Sequence, residues 1–274
     1  MQCGKRQLDL SVPQVMGVLN VTPDSFSDGG LFIGREKALD HARYMADAGA
    51  TLIDVGGEST RPGALPVTVQ EELDRVLPVI EALSQETECL ISVDTSTPEV
   101  MLAAAKAGAH LINDVRALSR PGALNAAAVA GLPVCLMHIQ GEPSTMQRAP
   151  EYCDVVSEVY EYLEGRIELC LQAGIAKSQL LVDPGFGFGK TLEHNLLLLK
   201  YLSVFADLGC PVLVGLSRKS ILGAILDKPV QERLAGSLAL AMLALERGAN
   251  IVRVHDVAET MDVVKVIQSL RACD

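Results

Sequence analysis

Short apolar runs alternate with longer amphipathic segments along the whole chain. Between several runs the apolar spacing changes from two residues to about 3.6, as it does through Leu73, Val76 and Ile80. Short continuous apolar runs are typical of strands buried on both faces, and the longer period is typical of helices that pack on them. The eight apolar runs lie at residues 15–19, 52–55, 90–93, 111–112, 134–137, 180–182, 212–214 and 251–254.

A strand followed by a helix, repeated along the chain, predicts a parallel sheet with right-handed crossovers. Eight such units in 274 residues fit a closed (β/α)8 barrel, the TIM barrel, better than an open sheet. Several helical segments end beside a glycine, as at Gly49, Gly108 and Gly248, and glycine readily adopts the left-handed conformation that ends a helix. No linker or charge block interrupts the pattern, so we predict that residues 1–274 form a single domain.

The composition narrows the classes of function. The formal net charge is −11 and no lysine- or arginine-rich run is present, whereas a general nucleic-acid-binding protein is usually basic. No stretch reaches the ~18–20 consecutive apolar residues of a membrane span, and the N-terminus lacks the apolar segment of a signal peptide. We therefore expect a cytoplasmic protein with no nucleic-acid partner and no role in a membrane.

The seven cysteines are odd in number, and none pair at the short spacing of a structural zinc site. Cys89, Cys135 and Cys210 lie at or beside apolar runs. They are interpreted as small buried thiols in a reducing compartment.

Polar residues cluster directly after the apolar runs, and in a barrel these positions converge on the C-terminal face, where that fold holds its active sites. Each has a structural explanation when taken alone: Asp94 could begin a helix cap, Asp183 could form a turn, and Arg61 could be a solvated charge. Their occurrence at every strand end favours a site. Asp54, inside the second run, is interpreted as a structural, hydrogen-bonded carboxylate. The strand-end residues are Asn20, Glu58 to Arg61, Asp94, Asn113, Asp114, His138, Asp183, Ser217 to Ser220, Arg253 and His255.

Two kinds of binding chemistry follow from these residues. Asp94, Asn113, Asp183 and Lys219 combine acceptors, an amide and a cation, which suits a flat heterocycle with an amino-amide edge. A second group, made of Arg61, Arg253 and His255 with the hydroxyls at 59–60, suits a phosphate or pyrophosphate. A lone asparagine beside phosphate oxygens and water suits Mg²⁺, and Asn20 is the candidate.

The stretch from Asp183 to Thr191 is rich in glycine but does not match a nucleotide-binding loop. Pro184 occupies the position where a P-loop requires its first glycine, and the G-x-G-x-G pattern at 185–189 is one residue short of the dinucleotide fingerprint. We interpret the stretch as a buried strand that brings Asp183 to a glycine-rich rim, which is formed by residues 185–189. Lys190 is not expected to be catalytic. Since no nucleophile–base pair is evident, we expect catalysis by positioning and charge stabilisation.

Eight motifs, in order along roughly residues 15–265, resemble the signatures of the dihydropteroate synthase family. The two longest are Met16-Gly-Val-Leu-Asn-Val-Thr-Pro-Asp-Ser-Phe-Ser-Asp-Gly-Gly30 and Asp54-Val-Gly-Gly-Glu-Ser-Thr-Arg-Pro-Gly63. The others lie at residues 92–95, 112–114, 136–138, 183–190, 215–220 and 253–256.

The resemblance implies a TIM-barrel transferase that joins 6-hydroxymethyl-7,8-dihydropterin pyrophosphate to p-aminobenzoate. It also implies Mg²⁺ at Asn20 as cofactor, sensitivity to sulfonamides, and a homodimer that uses the last helices, with Leu238, Met242 and Val264 as candidates for core or interface. The small-molecule substrates are the partners that it implies besides a second copy.

The resemblance also implies roles for individual residues. The residues implied to bind the pterin are Asp94, Asn113, Met137, Asp183, Phe188, Gly215, Lys219 and Arg253. Those implied to bind the pyrophosphate are Asn20, Thr60, Arg61, Arg253 and His255. Those implied to bind p-aminobenzoate are Phe26, Pro62, Lys219 and Ser220. The catalytic set is Arg61, Asp94, Lys219, Arg253 and His255.

The chemistry is consistent with the absence of a strong base from the motifs. A pterin methylene that carries pyrophosphate can ionise because the ring delocalises the cation, and an arylamine is a neutral nucleophile.

One alternative is a pterin-binding methyltransferase that uses methyltetrahydrofolate and a corrinoid partner, but it has no use for Arg61, Arg253 and His255. A second alternative is a non-catalytic pterin-binding paralogue, although every expected polar group is present.

Overall fold

A computed structural model describes residues 1–22, 30–59, 67–142 and 145–273, with the backbone alone for residues 30–33. The strands in these residues are β1 (Gln2–Cys3), β2 (Arg6–Gln7), β3 (Gln14–Asn20), β4 (Leu52–Gly56), β5 (Leu90–Asp94), β6 (Leu111–Asp114), β7 (Val134–Met137), β8 (Leu180–Asp183), β9 (Leu213–Val214) and β10 (Ile251–Val254). Strands β3 to β10 form a parallel sheet in the order β8-β7-β6-β5-β4-β3-β10-β9. A parallel bridge between Val182 and Val212 joins the two ends of that order, so the sheet closes as the predicted barrel.

Helices cover the outside of the barrel and follow the predicted apolar stripes. On α2, Thr68 and Glu71 form a capping box at the N-terminus, and Val76, Ile80 and Leu83 are buried against the sheet. The helices in the described residues are α1 (Gly30–Asp47), α2 (Val69–Glu86), α3 (Pro98–Ala107), α4 (Ala123–Ala130), α5 (Val155–Gln172), α6 (Leu192–Lys200), α7 (Ser220–Leu226), α8 (Leu234–Glu246) and α9 (Val257–Arg271).

The N-terminal end of the barrel is filled by apolar side chains. The β1–β2 hairpin covers this end, where Cys3 and Leu8 are fully buried. Arg6 fastens the hairpin, because its guanidinium donates to the carbonyls of Cys89 at 2.8 Å and Thr87 at 3.0 Å. A polar site can therefore lie only toward the C-terminal end. One inward-facing residue from each barrel strand belongs to the apolar cluster: Met16, Leu52, Leu90, Leu111, Cys135, Leu181, Leu213 and Ile251.

The cysteines are free thiols, as predicted. Cys153 and Cys273 are exposed, and the other five are buried. None of the helices in the described ranges combines the length and the apolar character needed to cross a membrane.

Candidate active site

A polar layer lies directly above the apolar end of the barrel. Because side chains alternate along a strand, the residue two positions after each inward-facing residue also faces the interior. Four members of the layer are at most 5% exposed, and the Arg253 side chain is 21% exposed. Buried polar groups cost free energy unless they are paired, so the layer marks a candidate site. Its members are Asp54, Ser92, Asn113, Asp183 and Arg253.

Arg253 crosses the floor of this pocket and joins two carboxylates. Its Nε donates to Asp54 Oδ2 at 2.6 Å, and its Nη2 donates to Asp94 Oδ2 at 2.8 Å. Asn113 Nδ2 donates to the same oxygen of Asp54 at 3.0 Å. These contacts connect β4, β5, β6 and β10 and fix one side of the pocket. Asp54 is hydrogen-bonded as expected, and it also holds two of the predicted pterin-binding residues.

The electrostatics of this floor are set by burial and by Arg253. Burial raises the pKa of the Asp94 carboxyl from 3.8 to about 7, and the Arg253 guanidinium limits that rise. Burial disfavours the charge of Arg253, but the carboxylates of Asp54 and Asp94 stabilise it by more, so its pKa lies above the usual value. The floor therefore holds a permanent cation beside a carboxylate that titrates near neutral pH.

Asp183 and Lys219 form the opposite wall. Asp183 Oδ1 accepts from the Gly185 N–H at 2.7 Å. Lys219 Nζ donates to the Phe186 carbonyl and lies 4.6 Å from the centre of the Phe188 ring. Burial lowers the pKa of Lys219 to about 8, and the Asp183 carboxylate opposes that shift. Burial raises the pKa of Asp183, and Lys219 limits that rise.

Glycine is required where the chain turns away from Asp183. Gly185 has φ +71°, and a Cβ there would lie 1.8 Å from the His138 carbonyl oxygen. At Gly187, φ is +80° and a Cβ would lie 3.2 Å from Lys219 Cδ. Glycine at these positions lets the backbone contact β7 and Lys219 directly.

His255 is held by the connection that also carries Lys219. Ser217 Oγ lies 3.1 Å from His255 Nδ1 and accepts from the His255 N–H at 3.2 Å. Arg218 adopts φ 56° and pairs through two nitrogens with Asp256. A left-handed non-glycine residue is strained, and such strain is concentrated at functional sites. These contacts tie the residues after β9 to those after β10.

Asn20 and Asp94 lie on either side of Gly56, at the C-terminal ends of β3, β4 and β5. A Cβ at Gly56 would lie 3.8 Å from Asn20 Oδ1 and 3.6 Å from Asp94 Oδ2. These are hard oxygen donors of the kind that Mg²⁺ prefers, and Mg²⁺ commonly takes only one or two protein ligands. The described residues contain no cluster of three or more histidine, cysteine or acidic side chains that could hold a metal. The donors fit a magnesium ion that takes most of its ligands from substrate and water.

Sequence reasoning did not identify an ionic network behind the loop that follows β4. The Glu58 carboxylate lies 3.7 Å from Arg116 Nη1 and 4.0 Å from Arg120 Nη2, and Arg75 donates to the Gly57 carbonyl at 2.9 Å. Three arginines thus fix the chain just before residues 60–61. Their positions lie 17 to 62 residues from Glu58 along the chain, and no local pattern connects them.

Most of the predicted site residues meet at the C-terminal end of the barrel. The residues that lie there are Asn20, Asp94, Asn113, Met137, Asp183, Phe188, Gly215, Lys219, Arg253 and His255. Ser220 begins α7 and is exposed. The others, Phe26, Thr60, Arg61 and Pro62, lie outside the described residues. The role of each residue stays a prediction.

The raised pKa of Asp94 predicts that the site lowers the stability of the ligand-free protein. A carboxyl whose folded pKa is raised contributes stability that is present below pH 3.8 and is lost as the pH rises through about 7. Asparagine has no ionised form, so Asp94→Asn should raise the melting temperature relative to the parent by a few degrees more at about pH 8 than at about pH 5. Thermal unfolding across this range measures the difference, with Asp262→Asn as the surface control. A difference that does not change with pH would contradict the prediction.

Comparisons with known proteins point to one family. A family model described as a pterin binding enzyme matches residues 16–255. The dihydropteroate synthase of Escherichia coli strain K12 is 60% identical over 262 residues, which cover 96% of this chain and 93% of that protein.

Solved structures agree with these sequence matches. The Yersinia pestis dihydropteroate synthase, in a sulfonamide drug complex, superposes with a TM-score of 0.96 at 55% identity and covers 100% of this chain and 99% of its own. The Xanthomonas albilineans dihydropteroate synthase, in complex with 7,8-dihydropteroate, superposes with a TM-score of 0.91 at 48% identity and covers 99% of this chain and 98% of its own.

Proposed function

The chain belongs to the dihydropteroate synthase family of pterin-binding enzymes, and from that premise we propose how its residues divide the reaction among them. The enzyme is a transferase that joins 6-hydroxymethyl-7,8-dihydropterin pyrophosphate to p-aminobenzoate. The bond between the methylene carbon and the pyrophosphate oxygen breaks. A bond forms from that carbon to the arylamine nitrogen, which then loses a proton. The products are 7,8-dihydropteroate and pyrophosphate.

The buried polar layer binds the pterin. The Asp183 carboxylate accepts hydrogen bonds from a ring N–H and the exocyclic amine, and Asn113 and Lys219 serve the ring acceptors. Met137 and the Phe188 ring pack against the flat faces. Asp94 stabilises the electron-poor ring as pyrophosphate departs, because its charge lies on the same floor.

The anion lies at the mouth of the barrel. Arg253 binds Asp54 and Asp94 on the floor through Nε and Nη2, and we assign its remaining N–H donors to the anion. His255, which Ser217 contacts just after β10, is assigned to the same anion. Thr60 and Arg61 complete this group by resemblance. Cationic and N–H donors aimed at the departing oxygen stabilise the charge that develops there.

A magnesium ion would be held by Asn20 at the mouth, beside the Asp94 carboxylate. When bound, it supplies charge neutralisation to the pyrophosphate. The p-aminobenzoate lies against Lys219 and Ser220, with Phe26 and Pro62 assigned by resemblance, and its neutral amine faces the methylene carbon.

The network of Asp54, Asp94, Asn113 and Arg253 is the observation that carries this proposal. It combines groups that suit an amino-amide heterocycle with a buried cation, Arg253, which we assign to the attached anion. A methyltransferase that binds a pterin without pyrophosphate requires the first feature but not the second, and a non-catalytic paralogue has no need of a charge that stabilises a leaving group.

The test is pyrophosphate release measured with each substrate alone and with both together. Release that requires both p-aminobenzoate and the pterin pyrophosphate, and that is lost when Mg²⁺ is chelated, supports the proposal. Tight binding of the pterin without turnover in the presence of Mg²⁺ would overturn it.

We also propose that the enzyme is a cytoplasmic homodimer. Met242 on α8 is 44% exposed, and Ile225 and Leu226 on the adjoining α7 are 47% and 38% exposed. Leu238 is partly buried on α8, but Val264 is 1% exposed and packs in the core, so it is removed from the candidate interface.

Sedimentation velocity tests the dimer. Met242→Glu should shift the protein to a monomer, since it places a charge in an apolar interface. Val129→Glu is the matched control, because Val129 is 69% exposed on α4 and lies outside the proposed face. A parent protein that sediments as a monomer would refute the dimer.

A further inference from the structure

Lys190 is buried without an ionic partner. It is 3% exposed, and in the described part of the chain no carboxylate lies within ion-pairing distance of its ammonium group. Its Nζ instead lies 2.8 Å from His138 Nδ1, 2.9 Å from the Gly185 carbonyl oxygen and 3.0 Å from the Phe188 carbonyl oxygen. A fourth contact, to the His138 carbonyl oxygen, is longer at 3.5 Å, so three close acceptors match the three N–H donors of an ammonium group. A buried cation is costly, so this arrangement requires an explanation.

His138 is suited to accept one of these bonds. Burial and the charge of Lys190 lower the pKa of His138 to about 2, so its ring is neutral at any working pH. Its ring also packs edge-on against Tyr162 of α5, with centroids 4.8 Å apart. Burial lowers the pKa of Lys190 well below its usual value, and the Asp183 carboxylate opposes that shift. We assign the ammonium form, because a ring nitrogen and two carbonyl oxygens surround Nζ and only an ammonium group donates to all three. Lys190 therefore connects the end of β7 to the rim that follows β8.

Lys190 binds the carbonyls of Gly185 and Phe188, and the segment between these two residues contacts Lys219. Between Gly185 and Phe188, the Phe186 carbonyl accepts from Lys219 Nζ. The Phe188 ring then lies 4.6 Å from the same nitrogen. A shift of this rim would move both groups that hold the Lys219 ammonium.

We propose that Lys190 is a positioning residue for the reaction. Its three hydrogen bonds hold residues 185–188 in place, and these residues in turn position Lys219 and Asp183 to bind the pterin. The inference rests on the proposed function, because it assumes that Lys219 and Asp183 bind the pterin. Lys190 touches neither substrate on this assignment. It acts through the rim and through its charge.

The charge of Lys190 acts on Asp183. Burial raises the pKa of Asp183, and Lys219, the Gly185 N–H, Lys190 and Arg253 each limit that rise. A further titratable neighbour is the Cys135 thiol on β7, whose pKa burial and the Asp183 charge raise well above its usual value, so it is neutral. Removing the Lys190 charge should therefore raise the pKa of Asp183 further.

Lys190→Met tests the proposal, because methionine keeps an unbranched, flexible side chain only one atom shorter and removes the charge and the donors. The probe is 6-hydroxymethylpterin, which lacks pyrophosphate, titrated by fluorescence between about pH 5 and pH 8. We expect binding at least about tenfold weaker at neutral pH, since charge-assisted hydrogen bonds to the rim are lost. We also expect the acid loss of affinity to begin at higher pH than in the parent. Binding within about twofold of the parent with an unchanged acid limb would overturn the proposal.

Arg6→Met is the matched control. Arg6 also binds two backbone carbonyls, but at the closed end of the barrel. It should lower the melting temperature and leave pterin affinity and its pH dependence unchanged. If Arg6→Met weakens pterin binding as much as Lys190→Met does, the effect is general destabilisation and the proposal fails.

Two variants of His138 keep the test decisive if Lys190→Met does not fold. His138→Asn places an amide oxygen near the position of Nδ1 and should retain pterin affinity. His138→Leu removes the acceptor and should weaken binding several-fold in the same direction as Lys190→Met. Equal affinity in both variants would contradict the role of Lys190. Failure of the parent to bind the pterin would instead contradict the proposed function.

Discussion

Replacing Arg253 by alanine is expected to lower kcat/KM roughly 1,000-fold. Removing one donor that stabilises a developing negative charge costs about 100- to 1,000-fold in rate, and we expect the upper end here because the change also disturbs the floor of the pocket. The change leaves Asp54, which is fully buried, and Asp94 side by side without the guanidinium that now lies 2.6 Å and 2.8 Å from them. It also removes the cation proposed to face the pyrophosphate.

The discriminating measurement is binding of two ligands to Arg253→Ala. Affinity for the pterin pyrophosphate should fall far more than affinity for 6-hydroxymethylpterin, because the guanidinium addresses the anion. Arg253→Lys is the control that keeps a positive charge without the forked donor geometry, and it should recover part of the loss. Equal losses for both ligands would refute the assignment of Arg253 to the pyrophosphate.

Asp183→Asn should weaken both ligands alike, by about 10- to 100-fold. The carboxylate addresses the ring edge that the two ligands share, and a hydrogen bond to a charged group contributes about 1.5–3 kcal/mol. The fold should persist, since the asparagine oxygen can still accept from the Gly185 N–H, which lies 2.7 Å from Asp183 Oδ1. Isothermal titration with each ligand measures the losses.

Asp262→Asn provides the control for charge, because this variant removes a carboxylate that is 77% exposed on α9. It should leave the affinity for both ligands unchanged. A selective loss of the pyrophosphate-bearing ligand in Asp183→Asn would place this carboxylate near the anion and not at the ring edge.

The barrel could be predicted because its strands and helices differ in apolar period over the whole chain. The predicted strand at 111–112 extends to Asp114 in the structure, because the polar residues Asn113 and Asp114 end the apolar signal before the strand ends. The β1–β2 hairpin was not predicted. Strands of two residues are too short to show a period, and their pairing depends on contacts with the barrel end.

The site was predictable to the extent that it follows the two-residue alternation of the strands. On the inward face of a strand, an apolar residue is followed two positions later by a polar one, as in Leu52 and Asp54 or Leu181 and Asp183. This change in polarity marks the boundary between the core and the pocket. Contacts between distant segments were not predictable. Lys190 and His138 are 52 residues apart, and the role of the lysine depends on a distance that no local pattern encodes.

The closed end of the barrel has a kinetic consequence. Since Cys3 and Leu8 fill the N-terminal end, both substrates must pass through the same opening. The proposed pterin site lies on the floor and the arylamine site lies above it, so the ligand that binds second covers the first. If the two sites are as proposed, we expect an ordered addition, with pterin pyrophosphate before p-aminobenzoate. An arylamine that binds first would then block the way to the pterin site, so we also expect inhibition by excess p-aminobenzoate.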